Sequence, residues 1–405
     1  MPRGSEDRRS PLHAEHVALG ATLVDFAGWE MPVRYSGDIA EHLAVRNAAG
    51  LFDISHMGEI SVRGADAASG LDFALASSMS RVGLGRAKYT MMCTPEGGVV
   101  DDLIVYRRDW DHFLIVANAA NTAAVLANLK ERLSGHRASL EDESQAVSLI
   151  AIQGPRAEDI VAAMCDRGAD DVRAATYYSW STVVLRGDIH AMCARTGYTG
   201  EDGFELFVTA DDAVEVWRLA QEVGGPEGLI PCGLSARDTL RLEAGMPLYG
   251  QELGLDRSPF EAGLGRVVQF GAGRELLPPG IDGAVALTSE PVDRGDFIGR
   301  AALEAAREAH EAALANPTAA PADARVLVGL VGEGRRSARP GYELFVAEQA
   351  VGTVTSGAPS PTLGVSIAMA YVHPRCAAPG TVLTADVRGR RETMTVTALP
   401  FYQRA

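Results

Sequence analysis

Two neighbouring aspartates stand in an apolar segment that reads Gly97-Gly98-Val99-Val100-Asp101-Asp102-Leu103-Ile104-Val105. The glycine pair predicts a turn, and the apolar run after it predicts a β-strand. Because side chains alternate between the two faces of a strand, only one of the two aspartates can point into any one pocket. A carboxylate in such surroundings is costly to desolvate unless it has a partner. Two interpretations therefore stay open: a capping or salt-bridged carboxylate, and a general base or charge stabiliser on a rigid strand.

Around this segment, strands and helices are intermixed without the regular alternation of β-α-β units. That arrangement favours α+β layers over a doubly wound parallel sheet. Apolar runs predict strands at 59–62, 99–106, 113–117, 147–152, 182–185, 204–208, 326–330 and 393–398. Helical periodicity predicts helices at 41–49, 119–133, 156–164, 213–222, 235–245 and 300–313. Gly50 is expected to end the first of these helices in the left-handed C′ position.

Two segments are typical of joints between domains. Residues 271–296 are rich in glycine and proline and lack either period, and residues 312–324 form an alanine- and proline-rich connector. After the second joint, the chain alternates short strands with turns and shows no good helix. The residues from about 325 to the end therefore predict a small all-β domain.

Composition argues against several classes of function. The 405 residues include 53 acidic and 37 basic side chains, giving a formal net charge of −16, so the chain as a whole does not attract nucleic acid or anionic lipid. The five cysteines are widely spaced without a C-x-x-C pair, which favours free thiols in a reducing compartment over a zinc or iron–sulfur site. The sequence has neither a secretory apolar region nor a membrane-length apolar run, so we expect a cytoplasmic protein without nucleic-acid or membrane partners.

Several common catalytic motifs are missing from the sequence. Residues 83–88 and 263–268 each contain G-x-G without the third glycine of a dinucleotide fingerprint, and neither a Walker-type phosphate loop nor a G-x-S-x-G elbow occurs. His13 and His16 form an isolated H-x-x-H, which is interpreted as a solvated surface pair rather than a metal site. The site is therefore expected in less generic groups of residues, and no metal is predicted.

Two further segments carry candidate binding residues. Residues 195–205 combine three glycines with an arginine, a tyrosine and three carboxylates, and Glu205 lies within a predicted strand. A strand carboxylate suits the paired N–H donors of a heterocycle such as a pterin, although a decorated hairpin loop is the plainer alternative. Residues 232–251 predict a buried helix whose charged side chains pair with one another at helical spacing. Alternatively, an arginine near the start of that helix binds a ligand carboxylate in a bidentate fork.

Eight long segments carry a resemblance to a known family. They read DFAGWEMPVRY (25–35), AVRNAAGLFDISHMGE (44–59), GGVVDDLIVYR (97–107), IAIQGP (150–155), RTGYTGEDGFEL (195–206), GLSARDTLRLEAGMPLYGQEL (233–253), FIGRAAL (297–303) and TSGAPSPTLGVSIAMAYV (355–372). These segments are nongeneric, and the match runs in order over nearly the whole chain. On them the chain resembles the glycine cleavage T-protein family, which consists of tetrahydrofolate-dependent aminomethyltransferases.

The resemblance implies an α+β fold, a cloverleaf of three domains around a central folate channel. It implies a discontinuous α+β domain of residues 1–55 and 146–270, into which a second α+β domain of residues 56–145 is inserted. A linker and helix at 271–324 and a β-barrel at 325–405 follow. In this family, lipoylated H-protein carries an aminomethyl group on its dihydrolipoyl arm. The enzyme transfers the carbon to tetrahydrofolate, giving 5,10-methylenetetrahydrofolate, ammonia and the reduced arm, without a metal.

The resemblance also implies roles for individual residues. Asp102 matches the family's catalytic position near the reactive folate nitrogens, and Glu205 matches its pterin-binding carboxylate. The other positions that match the lining of the folate channel are Met57, Tyr89, Leu103, Asn118, Tyr198, Arg237 and Tyr249. Of these, Arg237 is expected to bind the anionic glutamyl end, while Met57 and Leu103 are expected to form apolar walls.

Relatives of this fold suggest two alternative functions. Tetrahydrofolate-dependent demethylases keep folate binding but use sulfonium or aromatic methyl ether donors, and a non-catalytic branch binds folate in support of iron–sulfur assembly. The second branch has a Lys-Gly-Cys-Tyr-x-Gly-Gln-Glu motif, whereas residues 246–252 read MPLYGQE and lack its lysine and cysteine. The uninterrupted match around Asp102 and through 195–206 favours aminomethyl transfer. Arg266 departs from the family, which often carries a bulky apolar residue there.

Overall fold

The computed structural model describes residues 8–277, 286–334 and 336–404. Within these residues the helices are α1 His13–Ala18, α2 Asp38–Asn47, α3 Ala67–Ala74, α4 Thr122–Arg132, α5 Ala157–Met164, α6 Ala169–Ala174, α7 Ala213–Gly224, α8 Leu234–Glu243 and α9 Arg300–Ala315. The strands are β1 Thr22–Phe26, β2 Trp29–Arg34, β3 Ala49–Asp53, β4 Gly58–Arg63, β5 Ala87–Cys93, β6 Val99–Asp109, β7 His112–Ala117, β8 Ser139–Asp142, β9 Val147–Gln153, β10 Cys165–Arg167, β11 Trp180–Leu185, β12 Ile189–Ala194, β13 Gly203–Thr209, β14 Leu229–Pro231, β15 Val326–Gly332, β16 Glu343–Val346, β17 Gln349–Pro359, β18 Ser366–Val372, β19 Val382–Val387 and β20 Arg390–Thr397. In the described part of the chain, every helix is too short or too polar to cross a membrane.

A five-stranded antiparallel sheet carries the aspartate pair. Its strand order is β5-β6-β7-β4-β8, and β6 is its long inner strand, as expected from the valine- and isoleucine-rich segment that forms it. Leu103 and Val105 of β6 pack against α3 and α4 in one buried core. Ile104 and Tyr106 belong to a different core on the opposite face. The sheet is therefore buried on both faces, and the two faces of β6 pack in different cores.

A seven-stranded sheet lies against that opposite face. Its order is β10-β11-β12-β13-β9-β3-β14, and only the last pair, β3 and β14, is parallel among the described strands. Helices α5 and α7 cover one side of it around the fully buried Trp217. The other side contributes Met192 and Phe207 to the core that contains Tyr106 and Ile104. This inter-sheet core sets the distance between β6 and β13, the strands that carry Asp102 and Glu205.

The C-terminal residues form a closed barrel with strand order β15-β18-β17-β16-β19-β20. Its interior is aliphatic and is built around Leu330, Leu344 and Met394. The barrel joins the rest of the molecule through Leu242 of α8, which packs against Ile367 and Met369 of β18. The all-β domain predicted from residue 325 onward is therefore confirmed. The domain boundaries within the α+β part stay a prediction. The five-stranded sheet uses residues from 58 to 142, and the seven-stranded sheet uses residues on both sides of that segment.

Gly50 does not end a helix, contrary to the prediction. Helix α2 stops at Asn47, and Gly50 lies inside β3. A Cβ atom at this glycine would approach the Val45 Cγ2 atom to 2.4 Å and the Cys232 Sγ atom to 2.8 Å. The residue is a glycine because α2 and Cys232 pack directly against the strand backbone. Such a close approach is a common reason for a glycine within a strand.

The interpretation of His13 and His16 as a solvated pair is also wrong. His16 is fully buried in α1, and its ring nitrogens contact the Asp53 carboxylate at 2.8 Å and the Tyr35 hydroxyl at 2.9 Å. His13 contacts the Glu30 carboxylate at 2.9 Å. His16 thus attaches the N-terminal helix to β3 of the seven-stranded sheet, and His13 attaches it to β2 of the two-stranded sheet.

The joint predicted at 271–296 lies partly outside the described residues, since 278–285 are not described. Its described ends pair with each other through isolated bridges between Gly273 and Val292 and between Leu276 and Leu287. Arg294 then anchors the segment, because its guanidinium donates to the backbone oxygens of Ala76 and Gln269 at 2.6 Å each. The described ends of this joint are thus attached to the loop that follows α3 and to the segment around Gln269.

Candidate active site

Asp102 lies on the face of β6 that points toward the seven-stranded sheet. Its alternating neighbours Ile104 and Tyr106 are part of the inter-sheet core. The Tyr89 hydroxyl donates to one Asp102 carboxylate oxygen at 3.0 Å, and the Asn118 side-chain amide donates to the other at 2.8 Å. Both donors are neutral, so the carboxylate is oriented without a cation that would quench its basicity.

Asp101 points the other way and is fully buried. It accepts hydrogen bonds from the Asn118 backbone N–H at 3.0 Å, the Asn118 amide at 2.8 Å and the Asn121 amide at 2.6 Å. These residues lead into α4, so Asp101 ties the start of that helix to β6. Of the two interpretations left open by the sequence, the structural one therefore fits Asp101, and Asp102 is left as the candidate for the site carboxylate.

Both carboxyls of the pair are shifted toward the protonated form. Burial raises the pKa of Asp102, and the hydrogen bonds from Tyr89 and Asn118 only partly oppose it. Burial and the Asp102 charge raise the pKa of Asp101 to about 7, against the hydrogen bonds from the two asparagines. A carboxylate with a raised pKa is a better proton acceptor near neutral pH than an exposed aspartate.

The Tyr89 hydroxyl is predicted to set the pH range of the reaction. Its donated hydrogen bond favours the ionised form of Asp102, so in Tyr89→Phe the pKa of Asp102 is expected to rise further. If ionised Asp102 is the active form, the acidic limb of kcat/KM against pH moves upward by the same amount. The profile is measured for wild type, Tyr89→Phe and, as a control, Tyr177→Phe, whose side chain is 54% exposed. An acidic limb that does not move in Tyr89→Phe would contradict this assignment.

Glu205 lies on β13 across the inter-sheet core. The Thr196 hydroxyl donates to its Oε2 atom at 2.5 Å and the buried Tyr106 hydroxyl at 3.3 Å. Among the described residues no donor reaches Oε1, and this oxygen is not sealed off from solvent. The carboxylate is thus fixed by one oxygen, and the other keeps its lone pairs for an N–H donor of a ligand.

Arg237 of α8 supplies positive charge near Glu205. Its guanidinium lies 4.9 Å from the centroid of the Tyr198 ring, and within the described residues no carboxylate comes within 4 Å of it. Burial lowers the pKa of Arg237, while the charge of Glu205 and the Tyr198 hydroxyl oppose this. Burial and the Arg237 charge together lower the pKa of His56 to about 4. His56 is therefore neutral at physiological pH, and Arg237 keeps its charge for an anion.

Comparison with known proteins assigns the chain to a family. The model of the GCVT N-terminal domain matches residues 12–272, and that of the glycine cleavage T-protein C-terminal barrel domain matches residues 325–403. The chain belongs to the glycine cleavage T-protein family. It is 51% identical to an aminomethyltransferase of Streptomyces coelicolor over 401 residues, covering 99% of both chains, and 43% identical to that of Moorella thermoacetica over 397 residues, covering 98% of both.

A solved structure of the T-protein family superimposes on the whole chain. It is the glycine cleavage system aminomethyltransferase T from Bartonella henselae, with a TM-score of 0.81, 30% sequence identity and 98% of both chains covered. The predicted fold class, α+β with a C-terminal β-barrel, is confirmed by this match. The prediction of an aminomethyltransferase is confirmed at the level of the family, since the relatives just named bear that name.

Three other residues that the T-protein resemblance assigned to the channel pack in three different apolar clusters. Tyr249 packs beside Tyr89 against a cluster around Leu253, and Met57 packs at the margin of the inter-sheet core. Leu103 does not fit its expected role as an apolar wall. It is 1% exposed and packs toward α3 and α4, because alternation along β6 turns it away from Asp102.

Three residues beside the candidate site were missed by the sequence analysis, namely Tyr106, Thr196 and His56. The first two donate hydrogen bonds to Glu205, and the third lies near enough to Arg237 for the guanidinium charge to lower its pKa. All three stand inside the matched segments, but none differs in type from ordinary core or loop residues. Tyr106 alone could have been found from the sequence, because it lies four residues after Asp102 and side chains an even number of positions apart share one face of a strand.

Arg266, which departs from the family pattern, is exposed. Its charge lies near enough to oppose the rise that burial causes in the pKa of Tyr178.

Proposed function

We propose that the protein transfers the carbon of an aminomethyl group from the lipoyl arm of H-protein to tetrahydrofolate. The products are 5,10-methylenetetrahydrofolate, ammonia and the dihydrolipoyl protein. Two carbon–nitrogen bonds to folate form, and the carbon–sulfur and carbon–amine bonds break. The protons lost by the folate nitrogens balance those gained by sulfur and amine, so no oxidant is needed. Family membership supports this reaction, and the contacts of Asp102 and Glu205 support the assignment of residues.

The donors and acceptors of the site fit tetrahydrofolate. The open Oε1 atom of Glu205 suits the N–H groups of a pterin ring. Arg237, free of a carboxylate partner among the described residues, suits the anionic glutamyl end. Tyr198 and Tyr249 are half-buried and offer flat apolar surface for a conjugated ring. Bound tetrahydrofolate supplies the nitrogen nucleophiles, and the chain supplies binding, orientation and proton handling.

Asp102 is the group that handles a proton in this proposal. Tyr89 and Asn118 fix both carboxylate oxygens, so the side chain does not need to reorganise during the reaction. Its raised pKa and negative charge suit two tasks: accepting or orienting a proton of a folate nitrogen, and stabilising positive charge at the carbon in transit. The Tyr89 hydroxyl and the Asn118 amide act through Asp102 as positioning groups.

Glu205→Gln is expected to weaken tetrahydrofolate binding about ten- to hundredfold, the range for losing hydrogen bonds to a charged acceptor. Glutamine can still accept from Thr196 and Tyr106, so the fold should persist, but its amide can turn a donor toward the pterin. Fluorescence titration measures the dissociation constant for wild type, Glu205→Gln and the control Glu222→Gln, whose side chain is 76% exposed. Equal affinities for all three proteins would remove Glu205 from the binding site.

The choice of carbon donor separates this proposal from a demethylase of the same fold. Purified protein and tetrahydrofolate are incubated in turn with aminomethyl-loaded H-protein, a sulfonium methyl donor and an aromatic methyl ether. Loss of tetrahydrofolate is expected only with H-protein. Consumption with a methyl donor alone would assign a demethylase, and tight tetrahydrofolate binding without turnover with any donor would assign a non-catalytic folate-binding protein.

A further inference from the structure

A basic cavity lies on the C-terminal barrel, away from the strands that carry Asp102 and Glu205. It has a volume of about 360 Å³ and is lined by Arg336, Ser337, Arg339, Tyr342, Val387, Arg388 and Arg390. Four of these seven side chains are arginines and none is acidic, in a chain whose net charge is −16. Such a concentration of one charge in a concave site favours a ligand of the opposite charge.

The positive charge of this barrel cavity is only partly compensated. Arg336 pairs with Glu392 at 3.2 Å. Arg339 donates to the backbone oxygen of Gly357 at 3.4 Å, which leaves its charge unneutralised. Within the described residues, neither Arg388 nor Arg390 has a carboxylate within 4 Å. Three guanidinium groups therefore face the cavity without an ion-pair partner from the described chain.

A buried polar group and a strained backbone position adjoin the arginines of the barrel cavity. The Ser337 hydroxyl is buried and has no hydrogen-bond partner among the described residues, an arrangement that is unfavourable unless something else completes it. Arg388 has φ of 56° at the first position of the two-residue turn between β19 and β20, followed by Gly389 with φ of 78°. Asparagine, aspartate or glycine is usual at that turn position, so the backbone is strained in presenting an arginine here.

We propose that the barrel cavity binds a small polyanion with at least two neighbouring negative charges, such as the diphosphate of a nucleotide. Guanidinium forks match the oxygens of phosphate and carboxylate groups in a bidentate manner. The volume lies near the lower end of small-molecule sites, about 300–1,000 Å³, which suits a compact ligand. The proposal is independent of the aminomethyl transfer, because none of the lining residues belongs to the site around Asp102.

Calorimetric titration of the full chain with inorganic pyrophosphate tests the cavity directly. Saturable binding is expected, weakening as salt is raised. Arg388→Ala/Arg390→Ala is expected to lower the affinity by about tenfold or more, since hydrogen bonds to charged groups are lost. The control Arg167→Ala/Arg173→Ala removes two exposed arginines that pair with acidic residues elsewhere, and it should bind as wild type does. Tetrahydrofolate turnover should be the same in all three proteins.

The relative affinities for two anions identify the class of ligand. Tighter binding of pyrophosphate than of citrate assigns a phosphate ligand, and the reverse order assigns a polycarboxylate; both support the site. Ser337→Ala keeps every guanidinium and is expected to weaken either ligand by a few fold, about the effect of one hydrogen bond. Absence of saturable binding of both anions at millimolar concentration, or full affinity in the arginine double variant, would overturn the proposal.

Discussion

Asp102→Asn is expected to lower kcat about 10²–10⁴-fold, the usual contribution of a positioned general acid or base. Asparagine has nearly the same shape and still accepts a hydrogen bond from the Tyr89 hydroxyl. It lacks the negative charge and cannot take up a proton at neutral pH. Tetrahydrofolate affinity should change by much less than kcat, because Glu205 and Arg237 supply the binding contacts in this account.

A matched substitution on the same hairpin controls for nonspecific effects. Asp111 is exposed in the turn between β6 and β7, so Asp111→Asn removes one aspartate charge near the strand without touching the site. It should keep wild-type kcat. Steady-state turnover and tetrahydrofolate titration are measured on wild type and both variants. Wild-type turnover in Asp102→Asn would remove Asp102 from the mechanism, and a loss of binding equal to the loss of kcat would make it a binding residue.

Arg46→Ala is expected to lower the free energy of unfolding by about 3–5 kcal/mol, the effect of removing one partner of a buried ion pair. The Arg46 guanidinium donates to Glu201 at 2.9 Å and to Glu243 at 2.8 Å. It also donates to the Thr199 backbone oxygen at 2.8 Å and lies 4.0 Å from the centroid of the Tyr402 ring. Its loss takes the guanidinium away from two buried carboxylates, leaving Glu201 with Arg404 at 3.9 Å and Glu243 with His42 at 3.1 Å.

The Arg46 cluster also gives the stability a dependence on pH. Burial alone would raise the pKa of Glu243, but hydrogen bonds from His42, Ser360 and Arg46 overcome this and hold it at about 2. An acid whose pKa is lower in the folded state stabilises the protein above its unfolded pKa of 4.5 and loses that contribution as the pH falls toward 2. In Arg46→Ala the pKa of Glu243 rises, so the wild-type advantage should shrink at acidic pH.

Urea unfolding at pH 7 and pH 4 measures both effects. The control Arg173→Ala removes an exposed arginine that pairs with Asp170 one turn away on α6, and it should change stability by less than about 1 kcal/mol. Arg46→Lys keeps the charge without the planar fork and should lie between wild type and alanine. A midpoint for Arg46→Ala equal to that of Arg173→Ala would contradict the proposed role of the cluster.

The aspartate pair shows what the sequence could and could not predict. The strand and the rule that only one aspartate serves a given pocket followed from the residues themselves. The choice between the two could not be made from the sequence, because the residues two positions before and after each aspartate are all apolar, so both faces of the strand look alike. Only the family resemblance favoured Asp102. In the structure Asn118 and Asn121 hold Asp101 toward α4, so Asp102 stays the candidate and its role stays a prediction.

Other features of the site depend on contacts between segments far apart in sequence. Strand β5, which carries Tyr89, was not predicted, because residues 90–93 are all buried and do not alternate with polar ones. The donors to Glu205 come from β6 and from the loop before β13, so they are recognisable only once the two sheets pack together. Gly50 was misread for the same reason, since its role is set by its contact with Cys232.

Simultaneous measurement of both products tests the central claim most directly. Purified protein is mixed with aminomethyl-loaded H-protein and tetrahydrofolate, and ammonia and 5,10-methylenetetrahydrofolate are followed together, with Asp102→Asn in parallel. The account predicts equal amounts of the two products, formed by wild type and nearly absent in the variant. Ammonia without the folate product, or equal formation of both by Asp102→Asn, would contradict it.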